Sequence, residues 1–394
     1  MNSRILHPEV QQFISDNLNT EIIRLILKGS PFEKISVQEI ANQIIAKEKS
    51  RKKLPTWFAT DNIYYPTKVS IEQTSSEIAA KNKLDLITGA SIIDITGGFG
   101  IDAYYFSKQF KKVIHCEINK ELSTIVKHNI TLLKIKNIEI FTGDGLQFLK
   151  KTQKKFDCIF IDPSRRNNIK GKVFLLKDCL PYIPPKIDFL FSKANQILIK
   201  TSPILDITNT INDLKFVKKI QVIAINNEVK ELLFLLENNY TKEIIIEAVN
   251  YQKDEIQKLN FEYPSNTLST YNQPLKYLYE PNAAILKSGG FHEVSQQLNI
   301  SKLHQHSHLY TSNELIDFPG RSFIIENNII YDKKKIKKLV GNENANITIR
   351  NFPKSVAQIR KETKIKEGGN LFIFFTTNLE NKQIVIFCKK IKLI

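Results

Sequence analysis

Four acidic residues, Asp94, Glu117, Asp144 and Asp162, each stand at or just past the end of a short β-branched run. Between the first two lies a turn with three glycines in four residues, Gly97-Gly98-Phe99-Gly100, in the stretch SIIDITGGFGIDAYYF. Glycine there lets the backbone approach a ligand with no Cβ in the way, and the helix that follows offers unpaired N–H groups. Gly98 to Ala103 also satisfies the dinucleotide pattern G-x-G-x-x-[GA], with Glu117 nineteen residues on from Gly98, where a ribose-binding acid belongs. The turn alone therefore serves NAD or S-adenosylmethionine equally well. The acids separate the two. Asp94, immediately ahead of the glycines, would repel a pyrophosphate but suits a ligand carrying an ammonium and a sulfonium. Asp144, in Gly143-Asp144-Gly145, can accept a hydrogen bond from an adenine amino group.

Asp162 opens the run Asp162-Pro163-Ser164-Arg165-Arg166. In a methyl transfer the protein aligns the nucleophile and stabilises charge as it develops. An exocyclic amine has its lone pair tied up in the ring. A carboxylate and the carbonyl after it can accept both N–H bonds and turn that lone pair toward the methyl group. Asp162 as a helix cap, and the arginines as surface charge, are the competing readings.

These residues need a scaffold that brings strand ends together. Strands are expected at 91–96, 112–117, 137–141, 157–162 and 196–201 with helical segments between them, the alternation of a parallel sheet with right-handed crossovers. KKIQVIAI (218–225) and KELLFLLE (230–237) are separated only by NNEV, too short for a crossover helix, and predict an antiparallel hairpin. The expected fold class is α/β: a Rossmann-like sheet of seven strands ending in that hairpin, which NAD-binding domains normally lack. Residues 1–55 carry apolar positions at helical spacing (Ile22, Ile23, Leu25, Ile26, Leu27, then Ile40, Ile44, Ile45) and predict a helical domain. Domains are expected at 1–55 (helical), 56–240 (catalytic sheet), 241–274 (connecting strands), 275–318 and 319–394.

The chain has 394 residues, 42 % of them hydrophobic, which is ample for more than one core. No stretch approaches the ~20 uninterrupted apolar residues that cross a bilayer, and the N-terminus lacks the charged-then-apolar layout of a secretory leader. No membrane partner and a cytoplasmic location are expected. Four scattered cysteines without a C-x-x-C pair read as buried small hydrophobes. A formal charge of +17, with clusters at 47–53, 333–338 and the C-terminal KKIK, makes a polyanion such as RNA the natural partner, against a merely solvated face.

The runs DITGGFGID (94–102), DPSRR (162–166), IKTSPILDI (199–207), EQTSSEIAA (72–80), YEPNAAILKSGG (279–290), SHLYTS (307–312), FPGR (318–321) and NFPKSVAQIRKETKIKEGG (351–369) resemble class I S-adenosylmethionine-dependent methyltransferases. Within them, they resemble a bacterial group with a C-terminal ferredoxin-like module and an α+β THUMP-like domain. The resemblance implies that Gly97, Gly98 and Gly100, with Thr96 and Phe99 in the same loop, cradle the cofactor above Asp94. It further implies that Glu117 binds the ribose, Ile118 packs on the adenine, Asp144 holds its amino group, and Gln73 and Thr74 touch the cofactor. Core packing for Ile118, and a capping box over Thr74 to Glu77, compete with these roles.

Asp162, Pro163, Ser164 and Arg165 are the candidate catalytic residues. The chain departs from the D/N-P-P-aromatic pattern of amino-methyltransferases, since Ser164 and two arginines stand where an aromatic would stack on a base. A guanidinium can stack on a base or fork onto a phosphate instead. Lys200, Ser202 and Asp206 match the family's run without a fixed role. By the same resemblance, the THUMP-like region implies RNA, with transfer RNA favoured. Methylation of a protein or small molecule, a non-catalytic RNA-binding scaffold and, last, an NAD-dependent oxidoreductase are the alternatives. His304, His306 and His308 would share one face of a strand, but no Cys or carboxylate cluster accompanies them, neighbouring Ser and Thr suggest an exposed turn, and no metal is expected. The oligomeric state is not readable.

Overall fold

The computed structural model of the chain describes residues 1–165 and 175–391. They form two units, the first comprising 1–218 and 233–241, the second 219–232 and 242–394. None of the described helices is long and apolar enough to cross a membrane.

The first unit is built on a parallel sheet. β1 (Ser91–Asp94) pairs with β2 (Lys112–Glu117) on one side and β4 (Phe156–Ile161) on the other; β3 (Ile138–Thr142) follows β2. β5 (Ser164–Arg165) and β6 (Cys179–Leu180) make a separate two-stranded ribbon, and β7 (Ala194–Thr201) pairs with β4. Burial explains this order. Ile92, Ile93, Cys158, Ile159, Ile197 and Ile199 are fully buried, as strands covered on both faces require, whereas β3 alternates half-buried and exposed residues as an edge strand does.

β8 (Val217–Ile225) and β9 (Glu228–Glu237) are neighbours joined by Asn226-Asn227, both at positive φ, as a two-residue hairpin turn demands. β9 lies next to β7. The expected hairpin is therefore present, its base in the first unit and its tip in the second. The expected seven strands are not the end of the sheet. β10 (Ile244–Tyr251) runs parallel to β8, and β11 (Ile256–Tyr263) closes antiparallel on β10. Both are eight residues long and offer apolar positions on alternate residues, which an edge at β8 alone would leave unpaired.

The N-terminal helices share their core with the sheet's own helices: Ile40, Ile44 and Trp57 cluster with Phe99, Ile101 and Ile125. The helix Val37–Lys53 starts at a capping box between Ser36 and Glu39. The helix expected around Ile22 spans Ile22–Lys28. Leu25 is buried, but Ile23 and Leu27 are 65 % and 81 % exposed. A helix this apolar all round can lay only one face on the core, and positions four apart point away together.

In the second unit, β12 (Tyr277–Pro281), β13 (Ser301–Lys302), β14 (Tyr310–Ser312), β15 (Gly320–Ile330), β16 (Ala345–Arg350), β17 (Leu371–Thr377) and β18 (Gln383–Lys390) form a mixed sheet in the order β13-β14-β12-β15-β18-β17-β16. Ile336, Val340 and Ile359, from the helices Lys333–Val340 and Val356–Thr363, pack on β17 and β18 through Ile373, Phe375 and Val385. All four cysteines are buried.

Candidate active site

Parallel register decides where the acids fall. Asp94 aligns with His115 on β2 and with Phe160 on β4, and Glu117 aligns with Thr142 on β3. The carboxyl ends of β1 to β4 therefore form one edge, with Asp94, Glu117, Asp144 and Asp162 along it. Strand order reverses around β1, which is where open α/β sheets bind ligands.

Asp94 is 1 % exposed, and its Oδ1 accepts from the Thr96 backbone N–H (2.9 Å) and hydroxyl (3.3 Å). Burial, with Asp102 and Asp162 nearby, holds its carboxyl well above the usual range. The Thr96 hydroxyl also accepts from the Asp162 N–H at 2.7 Å, so one side chain ties the ends of β1 and β4 together. Glu117 accepts from Gly98 N–H (2.8 Å) and Asn119 N–H (2.7 Å), fixing the glycine loop on β2. Carboxylate oxygens carry further lone pairs, so these bonds leave capacity for hydroxyls.

The glycines have distinct reasons. Gly98 and Gly100 sit at φ +58° and +79°. Gly97 does not need a positive φ, but a Cβ there would lie 2.3 Å from His115 Nε2. The His115 ring is fully buried without a hydrogen-bond partner among the described residues, and burial pushes its pKa down to about 4. Phe99 turns its side chain into the core, 4 % exposed and 6.4 Å from Trp57 between ring centres, so only its backbone is offered to a ligand. Ile118 is 71 % exposed, which overturns the core-packing reading of that residue.

Asp144 is exposed and caps the helix Gly145–Lys151 through Leu146 and Gln147 N–H, at 2.7 and 3.1 Å. Gln73 is exposed at the end of the helix Lys68–Gln73, and Thr74 is its half-buried C-cap. The expected capping box at Thr74 is replaced by Ser76, which caps Glu77–Asn82 by accepting from Ala79 N–H. Glu77 is thereby freed to accept from Thr56 and from the Tyr105 hydroxyl.

Asp162 is one-third exposed, and Lys200 Nζ donates to its Oδ2. Register again explains the pair. Ile161 aligns with Ile199, so the next residues of β4 and β7 fall side by side. Pro163 is buried, Ser164 is exposed and its hydroxyl lies 3.5 Å from the Leu180 carbonyl. Arg165 contributes backbone to the ribbon; its side chain and all of Arg166 lie outside the described residues. Asp206 caps the helix Ile207–Asp213, and Ser202 is exposed.

One feature beyond the expected residues supports the site. Lys83, fully buried, pairs with Asp102 at 3.0 Å, and Ser75 donates to the same carboxylate at 2.9 Å. This ties the segment ahead of the sheet to the helix that follows the glycines. His304, His306 and His308 lie in the turn that the neighbouring Ser and Thr suggest, with His304 buried and His306 exposed. His304 accepts at Nδ1 from His306 N–H and Asn351.

Residues 42–180 match the family model Conserved hypothetical protein 95, 277–319 a ferredoxin-like domain and 320–390 a THUMP domain-like family. The ribosomal RNA small subunit methyltransferase D of Buchnera aphidicola is 30 % identical over 152 residues, 38 % of this chain and 74 % of that protein. A Porphyromonas gingivalis W83 crystal structure, of a proposed methyltransferase, is 31 % identical, covers 99 % of both chains and superposes with a TM-score of 0.88. The chain belongs to the methyltransferase family. A tRNA (guanine(26)-N(2))-dimethyltransferase of Methanobrevibacter smithii is 37 % identical over 76 residues, 18 % of this methyltransferase and 20 % of that one.

Proposed function

We propose that this methyltransferase uses S-adenosylmethionine to methylate an exocyclic amine of structured RNA, with transfer RNA favoured, in the cytoplasm. The observation that carries the reading is the single edge on which the Gly97–Gly100 loop, Asp94, Glu117 and Asp144 stand beside Asp162. The residues fit the donor. A Cβ at Gly98 would meet nothing nearer than 3.9 Å, so open space lies above the loop, with Ile118 exposed beside it. Asp94 supplies negative character beneath, Glu117 acceptors for hydroxyls, and Asp144 an acceptor for an amino group. When bound, the sulfonium supplies an activated methyl group and a neutral leaving sulfur.

The chain's own residues do the rest. The Asp162 carboxylate, held by Lys200, and the Pro163 carbonyl accept the amine N–H groups and aim its lone pair. The pairing with Lys200 keeps the carboxylate in place rather than free to swing, which supports an orienting role over proton abstraction. RNA as substrate is supported by the net charge, by the named relatives, and by the helix Lys333–Val340, which exposes five lysines while burying Ile336 and Val340. Calorimetric titration with S-adenosylmethionine tests the cofactor, and failure to bind ends the reading. Nucleoside mass spectrometry of RNA from cells lacking the protein tests the substrate. An unchanged modification profile would move the acceptor to a protein or small molecule.

A further inference from the structure

Three sequence runs with no part in methyl transfer, YEPN, FPGR and the Arg350-Asn351-Phe352-Pro353 turn, converge in the second unit. Glu280, 3 % exposed, divides its carboxylate between two guanidiniums. Oε2 accepts from Arg321 Nε (2.7 Å) and Nη2, and Oε1 accepts from Arg350 Nη2 (2.7 Å). Pairing in register explains the first contact, since Glu280 on β12 aligns with Arg321 on β15. Gly320 beside it is tight, because a Cβ would lie 2.1 Å from the Glu280 carbonyl oxygen.

The charges do not balance: two cations share one anion. Both arginines remain about one-third exposed, at 35 % and 34 %, and Arg350 Nη1 also donates to the Ile349 carbonyl at 3.2 Å. Arg350 Nε is buried with no hydrogen-bond partner among the described residues. Lys302, which faces the Glu293 carboxylate, and His308 neighbour this cluster. Lys302 is 1 % exposed and sits over the Phe291 ring on which His308 stacks at 3.5 Å, and His308 Nδ1 is likewise buried without a partner among the described residues. Burial first, then Lys302, His306 and Arg350, push the His308 pKa down to about 4. A carboxylate that serves only to neutralise one arginine leaves no surplus. Here the buried carboxylate fixes two planar forks side by side and leaves a net positive charge, the arrangement that bidentate phosphate recognition uses.

We infer that Arg321 and Arg350, set on Glu280, form a phosphate-binding fork for the RNA backbone. The inference rests on the RNA reading above and assigns the C-terminal unit a defined contact. The fork is preorganised, because the side-chain entropy of both arginines is already spent in the fold.

The test is a titration of the full-length protein with fluorescently labelled unfractionated transfer RNA across a salt series. Arg321→Gln and Arg350→Gln each leave Glu280 with one guanidinium, so no buried charge is stranded. Each is expected to weaken RNA binding about tenfold and to lower the slope of log K against log salt by about one, while affinity for S-adenosylmethionine stays unchanged. If either variant fails to fold, Arg321→Lys and Arg350→Lys carry the test, with the same loss expected from the missing fork. Folded variants that bind RNA with wild-type affinity and slope would overturn the fork alone, even if their melting temperature drops. A wild-type protein that binds no RNA at low salt would overturn the RNA reading and the fork together.

Discussion

Replacing Gly97 by Ala isolates one contact on which the glycine loop depends. The new Cβ would stand 2.3 Å from His115 Nε2, 2.4 Å from Cε1 and 2.7 Å from Cδ2. Ordinary carbon contacts are about 3.5–4.0 Å, so ring or loop must move by more than 1 Å, roughly. The ring has nowhere to go, because His115 is fully buried on β2 between β1 and β3. Overpacking of this kind costs about 1–3 kcal/mol. If the loop yields instead, the same energy appears as a loss of S-adenosylmethionine affinity of roughly 5- to 150-fold. The φ of Gly97 suits any residue, so the penalty is steric and should be relieved by removing the ring. Urea unfolding and calorimetric titration of Gly97→Ala, His115→Ala and the double variant should give a favourable coupling of about 1–3 kcal/mol. Gly98→Ala is the control: its cost comes from φ +58°, not from a neighbour, and His115→Ala should not relieve it. A Gly97→Ala protein with wild-type stability and affinity, or one equally damaged with and without the His115 ring, would refute the reasoning.

Three more perturbations have defined outcomes. Lys83→Met strands the Asp102 carboxylate beside the glycine-loop helix and should cost about 3–5 kcal/mol in urea unfolding, most of it recovered in Lys83→Met/Asp102→Leu; a cost below about 1 kcal/mol would show that the buried pair is not needed. Lys200→Met should leave S-adenosylmethionine affinity intact but cut methylation of RNA at least about tenfold, with Lys200→Arg restoring part of it; full activity of the Met variant would remove Lys200 from the orientation of Asp162. His308 titrates near 4 when folded and near 6.5 when unfolded. The unfolded chain therefore binds the extra proton, and stability is present above about pH 6.5 and falls as pH drops toward 4. His308→Asn, which tolerates the φ of +51° at that position, should flatten the stability–pH slope in that window by up to about 1.4 kcal/mol per pH unit; an unchanged slope would contradict the buried, neutral imidazole.

The elements of the sheet were legible because each strand announces itself within a few residues. SIID, KVIHCE, FDCIFI and QILIKT are short runs with Ile or Val at their centres, alternating with longer amphipathic segments, as the strands of a sheet covered on both faces do. The hairpin followed from the lack of room between residues 225 and 230. What the sequence could not show is which distant residues share a strand end. Lys200 is 38 positions from Asp162 and becomes its partner only because β4 and β7 are neighbours in parallel register. Lys83 and Asp102 meet through the packing of two short helices, and nothing in EQTSSEIAAKNK marks its last lysine as buried. The shift of the cap from Thr74 to Ser76 is a smaller case of the same kind: both residues can cap, and with Ser76 as the cap Glu77 bonds Thr56 and Tyr105 rather than the chain ahead of it.

The acids along the sheet edge divide by environment, and that division fits a single chemistry better than four equivalent carboxylates would. Asp94 is buried, with its proton affinity raised, so it contributes negative charge only as an opposite charge arrives to stabilise its ionised form. Glu117 spends its oxygens on backbone N–H groups and thereby shapes the loop as well as facing the edge. Asp144 is exposed and rigid as a cap. Asp162 is the one of the four that pairs with a lysine among the described residues, which keeps it pointed while one-third of its surface faces outward. A site built to abstract a proton would leave that carboxylate unpaired and buried, as raised basicity requires. A site built to orient a neutral amine toward an already activated carbon needs a fixed acceptor instead, the role proposed above for Asp162 held by Lys200.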